Sequence, residues 1–274
     1  MTVGTGGRAV RFLATVMGVP MSVDVRDPAT PQVGAAVADA FELLRDAERR
    51  FGRQQPDSEV ARLDRGELRL GDASPQLVEV LAVAQEFSRE SGGAFGIERP
   101  DGTLDLDGVV KGWAAQRAAD LLTRSGIEHF CLNAGGDVVV RGGRGPGEPW
   151  QLAVRSPWAG SENLAVVALA DGALATSGTY ERGPHVYDAR SGRTARDLVS
   201  VTVLAGDLVL ADVLATAALA LGHDGPRWAH ERYGCSVLAV DADGAVSVVG
   251  PGFALVVPRA AGLTGDAAAS RRAP

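Results

Sequence analysis

Apolar and polar residues alternate along "RFLATVMGVPMSVDV" at 11–25, and the alternation breaks at Gly18 and Pro20. Two half-buried strands joined in a hairpin are predicted. Beyond them the period lengthens. "VGAAVADAFELLRDAERRF" spaces its apolar positions three and four apart, and Thr30 and Pro31 stand where an N-cap and a first helical residue belong. A second helix is predicted from Ser74 and Pro75 to the stop at Gly92 and Gly93. Short extended runs follow at 103–106, 130–140, 150–155 and 163–170, the last two joined through "WAGSEN", with further strands at 199–204, 236–240, 245–248 and 253–257. The stretch "DLDGVVKGWAAQRAADLL" at 105–122 passes through Gly108 into a helix whose first turn holds Lys111. The helix "GDLVLADVLATAALALG" at 206–222 is capped by Asp207 and is apolar apart from Asp212 and Thr216 in its middle. The pattern is mixed α and β, with no internal repeat. The small, polar tail "RAAGLTGDAAASRRAP" is expected to be disordered, so one domain over 1–258 and a tail at 259–274 are predicted.

A carboxylate in so apolar a helix raises the chemical question, because an unpaired buried charge costs several kcal/mol. Asp212 must have a partner. Asp212 and Thr216, four residues apart, share one helix face. Either Thr216 bonds back to its own helix and Asp212 meets a nearby Arg, or the two oxygens help to hold a hard divalent cation. Magnesium typically takes one or two protein carboxylates and completes its octahedron with water and substrate phosphate, so the second reading calls for a phosphate ligand. Lys111, beside free N–H groups at a helix start, offers a phosphate cradle, although the glycine spacing of a P-loop is absent. "SGGAFGIE" at 91–98 and "LNAGGDVVVRG" at 132–142 set paired glycines beside strands, as turns or as places of close ligand approach. His185, one of four histidines, follows a Gly-Pro turn and precedes Asp188 and Arg190. A histidine beside a strand is commonly structural.

Composition narrows the partners. The chain of 274 residues is 46% hydrophobic, enough to pack one large or two small domains without disulfides. Its net charge of −7 and the absence of a basic run argue against nucleic acid and anionic membrane surfaces, so a phosphate must be held by local groups or a metal. No membrane span is expected, since no apolar run approaches the required length of about 18–20 residues. The first residues lack the apolar core of a signal peptide and a lipid-bearing cysteine, so a cytoplasmic location is expected. Cys131 and Cys235 lack metal-ligand spacing and are expected to be buried, reduced thiols.

The ordered set "MGVPMSVDV", "PDSEVARLDRG", "GGAFGIE", "LDLDGVVKGWAAQRAADLL", "LNAGGDVVVRG", "ATSGTYERGPHVYDARSGR" and "SVTVLAGDLVLADVLATAALALG" resembles the ApbE family of FAD:protein FMN transferases, and covers most of residues 17–222 in the family's order. The resemblance implies an α+β fold related to the T-fold, with mixed sheets and packed helices. It implies FAD as substrate, magnesium as cofactor, and an acceptor protein whose Thr or Ser hydroxyl receives FMN with release of AMP. An FAD pyrophosphatase giving FMN and AMP, and a non-catalytic flavin-binding homologue, are the alternatives.

By the same resemblance, Asp212 and Thr216 are magnesium ligands, with a backbone carbonyl from the segment matching Gly108. Met17 touches the flavin, and Ala94 and Phe95 line its pocket. Asp105 matches a ligand-binding aspartate, Lys111 approaches the FAD, His185 is implicated in transfer, and Val186 contacts FAD through its backbone. The chain departs from the family pattern at three places. Gln54 stands where many members place an aromatic for the ring system, a loss of ~1 kcal/mol or more of stacking. Gly96 replaces the carboxylate of "GAFD". Asp107 and Gly108 replace two glycines and add a carboxylate expected close to the metal.

Overall fold

The computed structural model describes residues 9–99, 101–158, 162–179 and 186–256. The hairpin of β1 (Val10–Val16) and β2 (Val19–Val25) turns through Met17 and Gly18. Both turn residues have positive φ, 53° and 70°, as a two-residue type I′ hairpin requires. Helix α1 (Pro31–Phe51) starts where the pattern puts it, with the Thr30 hydroxyl accepting the Val33 N–H. Ser58 caps a short α2 (Glu59–Asp64), and Ser74 caps α3 (Pro75–Glu90). Helix α4 (Asp107–Arg124) has the apolar Leu106 at its N-cap, and the Asp105 carboxylate accepts the Asp107 N–H at 3.3 Å.

The extended run expected at 130–140 is two strands, β3 (Phe130–Ala134) and β4 (Asp137–Arg141), reversing at Gly135 and Gly136. Gly135 has φ 67°, and a Cβ there would lie 2.8 Å from Val19 Cγ2, so the glycine permits both the turn and the close approach of β2. Strands β5 (Trp150–Arg155), β6 (Asn163–Leu169), β7 (Gly172–Gly178), β8 (Tyr187–Asp188), β9 (Arg193–Thr194) and β10 (Leu198–Ala205) follow. The Asp207 carboxylate accepts the Leu210 N–H to start α5 (Leu208–Leu221). The chain continues through α6 (Gly225–Tyr233), β11 (Ser236–Asp241), β12 (Val246–Val249) and β13 (Phe253–Leu255). The run expected at 103–106 forms only an isolated bridge between Glu98 and Leu104. The tail expected at 259–274 lies outside the described residues.

Eight strands form one antiparallel sheet in the order β1-β2-β3-β4-β7-β10-β11-β12, and β13-β6-β5 form a second. Alternate residues of the central strands serve two cores: Val139, Ala173, Val237 and Ala239 face the helical layer, whereas Val138, Val140, Leu174, Leu238 and Val240 pack with Trp150, Leu152 and Val167 of the second sheet. Burial on both faces explains the unbroken apolar run of β4. Helix α5 lies between α4 and strands β7 and β10, which is why it is apolar nearly all round. The segment Leu208–Tyr233 is long and apolar enough by composition to cross a membrane, but 67% of that window is buried inside the protein, as in a core helix. Cys235 is buried and Cys131 half-buried. Burial pushes their thiols up to about 11 and about 12, which keeps them protonated and unreactive.

Candidate active site

Asp212 and Thr216 lie on the side of α5 that meets α4 and β7. The first helix–helix contact is at Gly112, whose N–H donates to Asp212 Oδ2 at 3.1 Å. A Cβ on Gly112 would lie 2.9 Å from Asp212 Cβ and 2.9 Å from the Leu208 carbonyl oxygen, so the two helices approach through the missing side chain. Lys111 is the fifth residue of α4 and thus in its second turn, not its first. Its ammonium pairs with Asp137 and stands 3.6 Å from Asp212 Oδ1. The cation facing Asp212 is therefore this lysine, shared with Asp137, and not an arginine. Burial drives the Asp212 carboxyl up to about 7, with Lys111 pulling it down and the Asp137 charge pushing it further up.

The Thr216 hydroxyl shares a hydrogen bond of 2.8 Å with the Ser177 hydroxyl on β7. Gly108 sits against the same place: a Cβ there would lie 3.2 Å from the Phe95 ring and 3.7 Å from Thr216 Cγ2. Asp212, Thr216, Gly108, Lys111 and Phe95 are thus brought together. Ala94 and Phe95 are buried, and the Ser91 hydroxyl accepts the Phe95 N–H at 2.9 Å. The sheet register sets Met17 and Gly18 at the same sheet end as Gly135, Gly136 and Thr176. Met17, at φ 53°, is the one non-glycine with positive φ among the described residues, at a backbone cost of about 1–2 kcal/mol.

The family's missing carboxylate at Gly96 has a steric counterpart. A Cβ on Gly96 would meet Ala189 Cβ at 2.8 Å, and the Tyr187 hydroxyl lies across it and donates to the Glu98 carbonyl. The β8–β9 hairpin thus occupies the space, anchored by Ala189 N–H on the Ala94 carbonyl at 3.2 Å. Asp105 faces Arg99 at 3.1 Å, and the same guanidinium draws Asp107 to 3.4 Å. The Asp107 side chain, 57% exposed, faces Arg99 at the chain position next to Gly108. Val186 is buried, and its carbonyl accepts the Ala195 N–H. Gln54 stands exposed in the loop between α1 and α2, and no hydrogen bond or ring contact ties it to the cluster among the described residues. His185 lies outside the described residues.

Three participants escape a reading of the sequence: Asp137, Ser177 and Arg99. Asp137 carries a usable signal, a charged residue at the head of the apolar run "VVV" directly after the glycine turn. Ser177 and Arg99 carry none, because a serine in a small-residue strand and an arginine in a polar loop are ordinary in isolation.

The model of the ApbE family matches residues 17–99 and 96–239. An FAD:protein FMN transferase of Rhodobacter capsulatus is 39% identical over 152 residues, covering 52% of this chain and 29% of that protein. One from Escherichia coli K12 is 34% identical over 156 residues, covering 53% of this chain and 44% of that protein. The match therefore spans less than half the length of these curated relatives. The apo crystal structure of Pseudomonas stutzeri flavinyl transferase ApbE superposes with a TM-score of 0.77 at 21% identity, over 90% of this chain and 96% of that one, and shows a shared α+β fold. With the family model matched over 17–99 and 96–239 and with this fold, the chain belongs to the ApbE family.

Proposed function

We propose that this chain transfers FMN from FAD onto a Thr or Ser hydroxyl of an acceptor protein, releasing AMP, with magnesium as its cofactor. The observation that carries the reading is the meeting of Asp212, Thr216, Gly108 and Lys111 at one contact between α4 and α5 in a chain of the ApbE family.

The donor set fits magnesium. Asp212 Oδ1 and Thr216 Oγ1 are hard oxygens one helical turn apart, and the Gly108 carbonyl belongs to the segment packed against Thr216. No group of three or more His, Cys, Asp or Glu is placed to hold a metal among the described residues, so phosphate oxygens and water must complete the octahedron. A magnesium ion held there would neutralise charge on the diphosphate. Lys111, half-buried between the two carboxylates, adds positive charge beside it. His185 takes the proton of the attacking hydroxyl, histidine being the side chain whose free imidazole titrates at ~6.5 and so suits a base at neutral pH. The hydroxyl oxygen bonds to the FMN-side phosphorus, the bond to the bridging oxygen breaks, and AMP leaves with the electron pair. FMN remains on the acceptor as a phosphoester.

The test is incubation with FAD, magnesium and a candidate FMN-binding acceptor domain, followed by a denaturing gel read for flavin fluorescence. A fluorescent acceptor band that needs magnesium supports the transferase. Gln54 in place of an aromatic, and Gly96 covered by Ala189 and Tyr187, favour a looser hold on the flavin and make FAD hydrolysis the second reading. FMN and AMP in solution with no labelled acceptor would select it. Bound FAD that remains intact with every acceptor would select the non-catalytic homologue.

A further inference from the structure

Asp137 and Asp212 are the two buried carboxylates among the described residues, 2% and 3% exposed, and only Asp212 has a role so far. Asp137 Oδ1 accepts the Thr176 N–H at 3.0 Å, and its other oxygen pairs with the Lys111 ammonium. That ammonium lies 3.6 Å from Asp212 Oδ1, within ion-pair reach but farther than from Asp137. Asp212 Oδ2 is already engaged by the Gly112 N–H. One ammonium therefore stands between two buried carboxylates and is seated on Asp137.

We propose that Asp137 is a positioning residue: it holds the Lys111 ammonium off Asp212 Oδ1, leaving that oxygen available to magnesium. The inference rests on the magnesium site proposed above. An ammonium so placed goes to whichever carboxylate binds it harder. Without the Asp137 charge it closes on Asp212, and magnesium must then break a desolvated ion pair to reach its ligand. Asp137 thus tunes metal affinity through Lys111 while remaining outside the coordination shell. Its place directly after the Gly135–Gly136 turn, fixed by the Thr176 N–H, gives the carboxylate a rigid seat.

The experiment titrates magnesium into the full chain at saturating FAD and reads half-saturation from thermal shift and flavin fluorescence, neither of which needs turnover. The variants are Asp137→Asn, Lys111→Met and the double variant. Asparagine keeps the shape and the acceptor for Thr176 while losing the charge. Asp137→Asn should raise the magnesium half-saturation by about tenfold or more in the wild-type background, and by less than about twofold where Lys111 is already Met. An equal rise in both backgrounds would mean that Asp137 acts on the metal directly, and no rise in either would mean that it does not act at all; both overturn the proposal. If Asp137→Asn does not fold but the double variant does, the double variant is compared with Lys111→Met: magnesium half-saturation equal within about twofold supports the proposal, and a larger rise overturns it. If neither folds, Asp137 belongs to the framework and the proposal falls. A wild-type chain indifferent to magnesium removes the metal site and this inference together, whereas normal magnesium responses without FMN transfer count only against the transferase reading.

Discussion

Gly112→Ala tests the helix contact on which the site depends. The added Cβ would stand 2.9 Å from Asp212 Cβ, 2.9 Å from the Leu208 carbonyl oxygen and 3.0 Å from Asp212 Oδ2. All three fall at or below the shortest approach a Cβ tolerates, and two of the obstacles are backbone or a side-chain stem that cannot swing away. Helices α4 and α5 must separate. Overpacking of this kind costs about 1–3 kcal/mol. Stretching the Gly112 N–H bond to a buried carboxylate costs roughly a further 1.5–3 kcal/mol, and alanine returns about 1 kcal/mol of helix propensity. The net loss is roughly 1.5–5 kcal/mol, and at about 2–4 °C per kcal/mol for a chain of this size the Tm should fall by roughly 3–20 °C. Gly34→Ala is the control, since Gly34 lies inside α1 and a Cβ added there would meet nothing within 4 Å. It should gain ~0.5–1 kcal/mol. Differential scanning fluorimetry with and without magnesium reads both variants. A Gly112→Ala protein that melts with wild type and binds magnesium equally well would refute the packing argument.

Four further outcomes are expected. Asp212→Ala should remain folded and lose magnesium-dependent activity, and full activity with unchanged magnesium dependence would remove the site. Gln54→Tyr should tighten FAD binding by ~0.5–1.5 kcal/mol, about 2- to 12-fold by fluorescence titration, and equal or weaker binding would mean that the exposed Gln54 loop does not face the flavin. His185→Ala should keep FAD and magnesium binding but slow transfer by about 10²–10⁴-fold, more than His223→Ala, and parallel losses of Tm and affinity would mark His185 as structural. The Asp212 carboxyl, raised to about 7 chiefly by burial, gives stability that is full below the unfolded carboxylate pKa of ~3.9 and lost as pH rises through about 7. Magnesium competes with that proton, so its stabilising shift in Tm should grow between about pH 6 and 8; a shift of constant size across that range would contradict it.

The elements legible in the sequence are those with a local cause. Thr30 with Pro31, Ser74 with Pro75, and Asp207 are caps whose hydrogen bonds close within three residues, so each helix start can be read from its own neighbourhood. Strand β7, "GALATSG", is not legible, because its small residues show no alternation. Ala173 and Ala175 serve the helical core, Leu174 serves the second core, and Thr176 and Ser177 serve the site. Helix α6, "GPRWAHERY", is hidden among charges and behind the break at Gly222. The extended run at 130–140 reads as one piece because β-forming residues, Phe130 to Leu132 and Val138 to Val140, lie on both sides of a glycine pair that in fact reverses the chain.

The site is legible for a different reason. A charge inside an apolar element must be answered by something, which singles out Asp212 before any partner is visible. The identity of the partner is not local: Gly112 lies 100 residues away in sequence, and an arginine and a lysine are equally good answers until the long-range contacts are known. The same test applied to "GGDVVVR" singles out Asp137, a carboxylate heading three buried valines. Two carboxylates then require more positive charge than one ammonium supplies, and Lys111 leaves the trio with a net negative charge. A divalent cation would correct that imbalance and, with the ammonium, would make this contact positive toward a diphosphate. Charge balance among buried groups, more than any one motif, is the reason that this contact between α4 and α5 is read as a place for metal and phosphate.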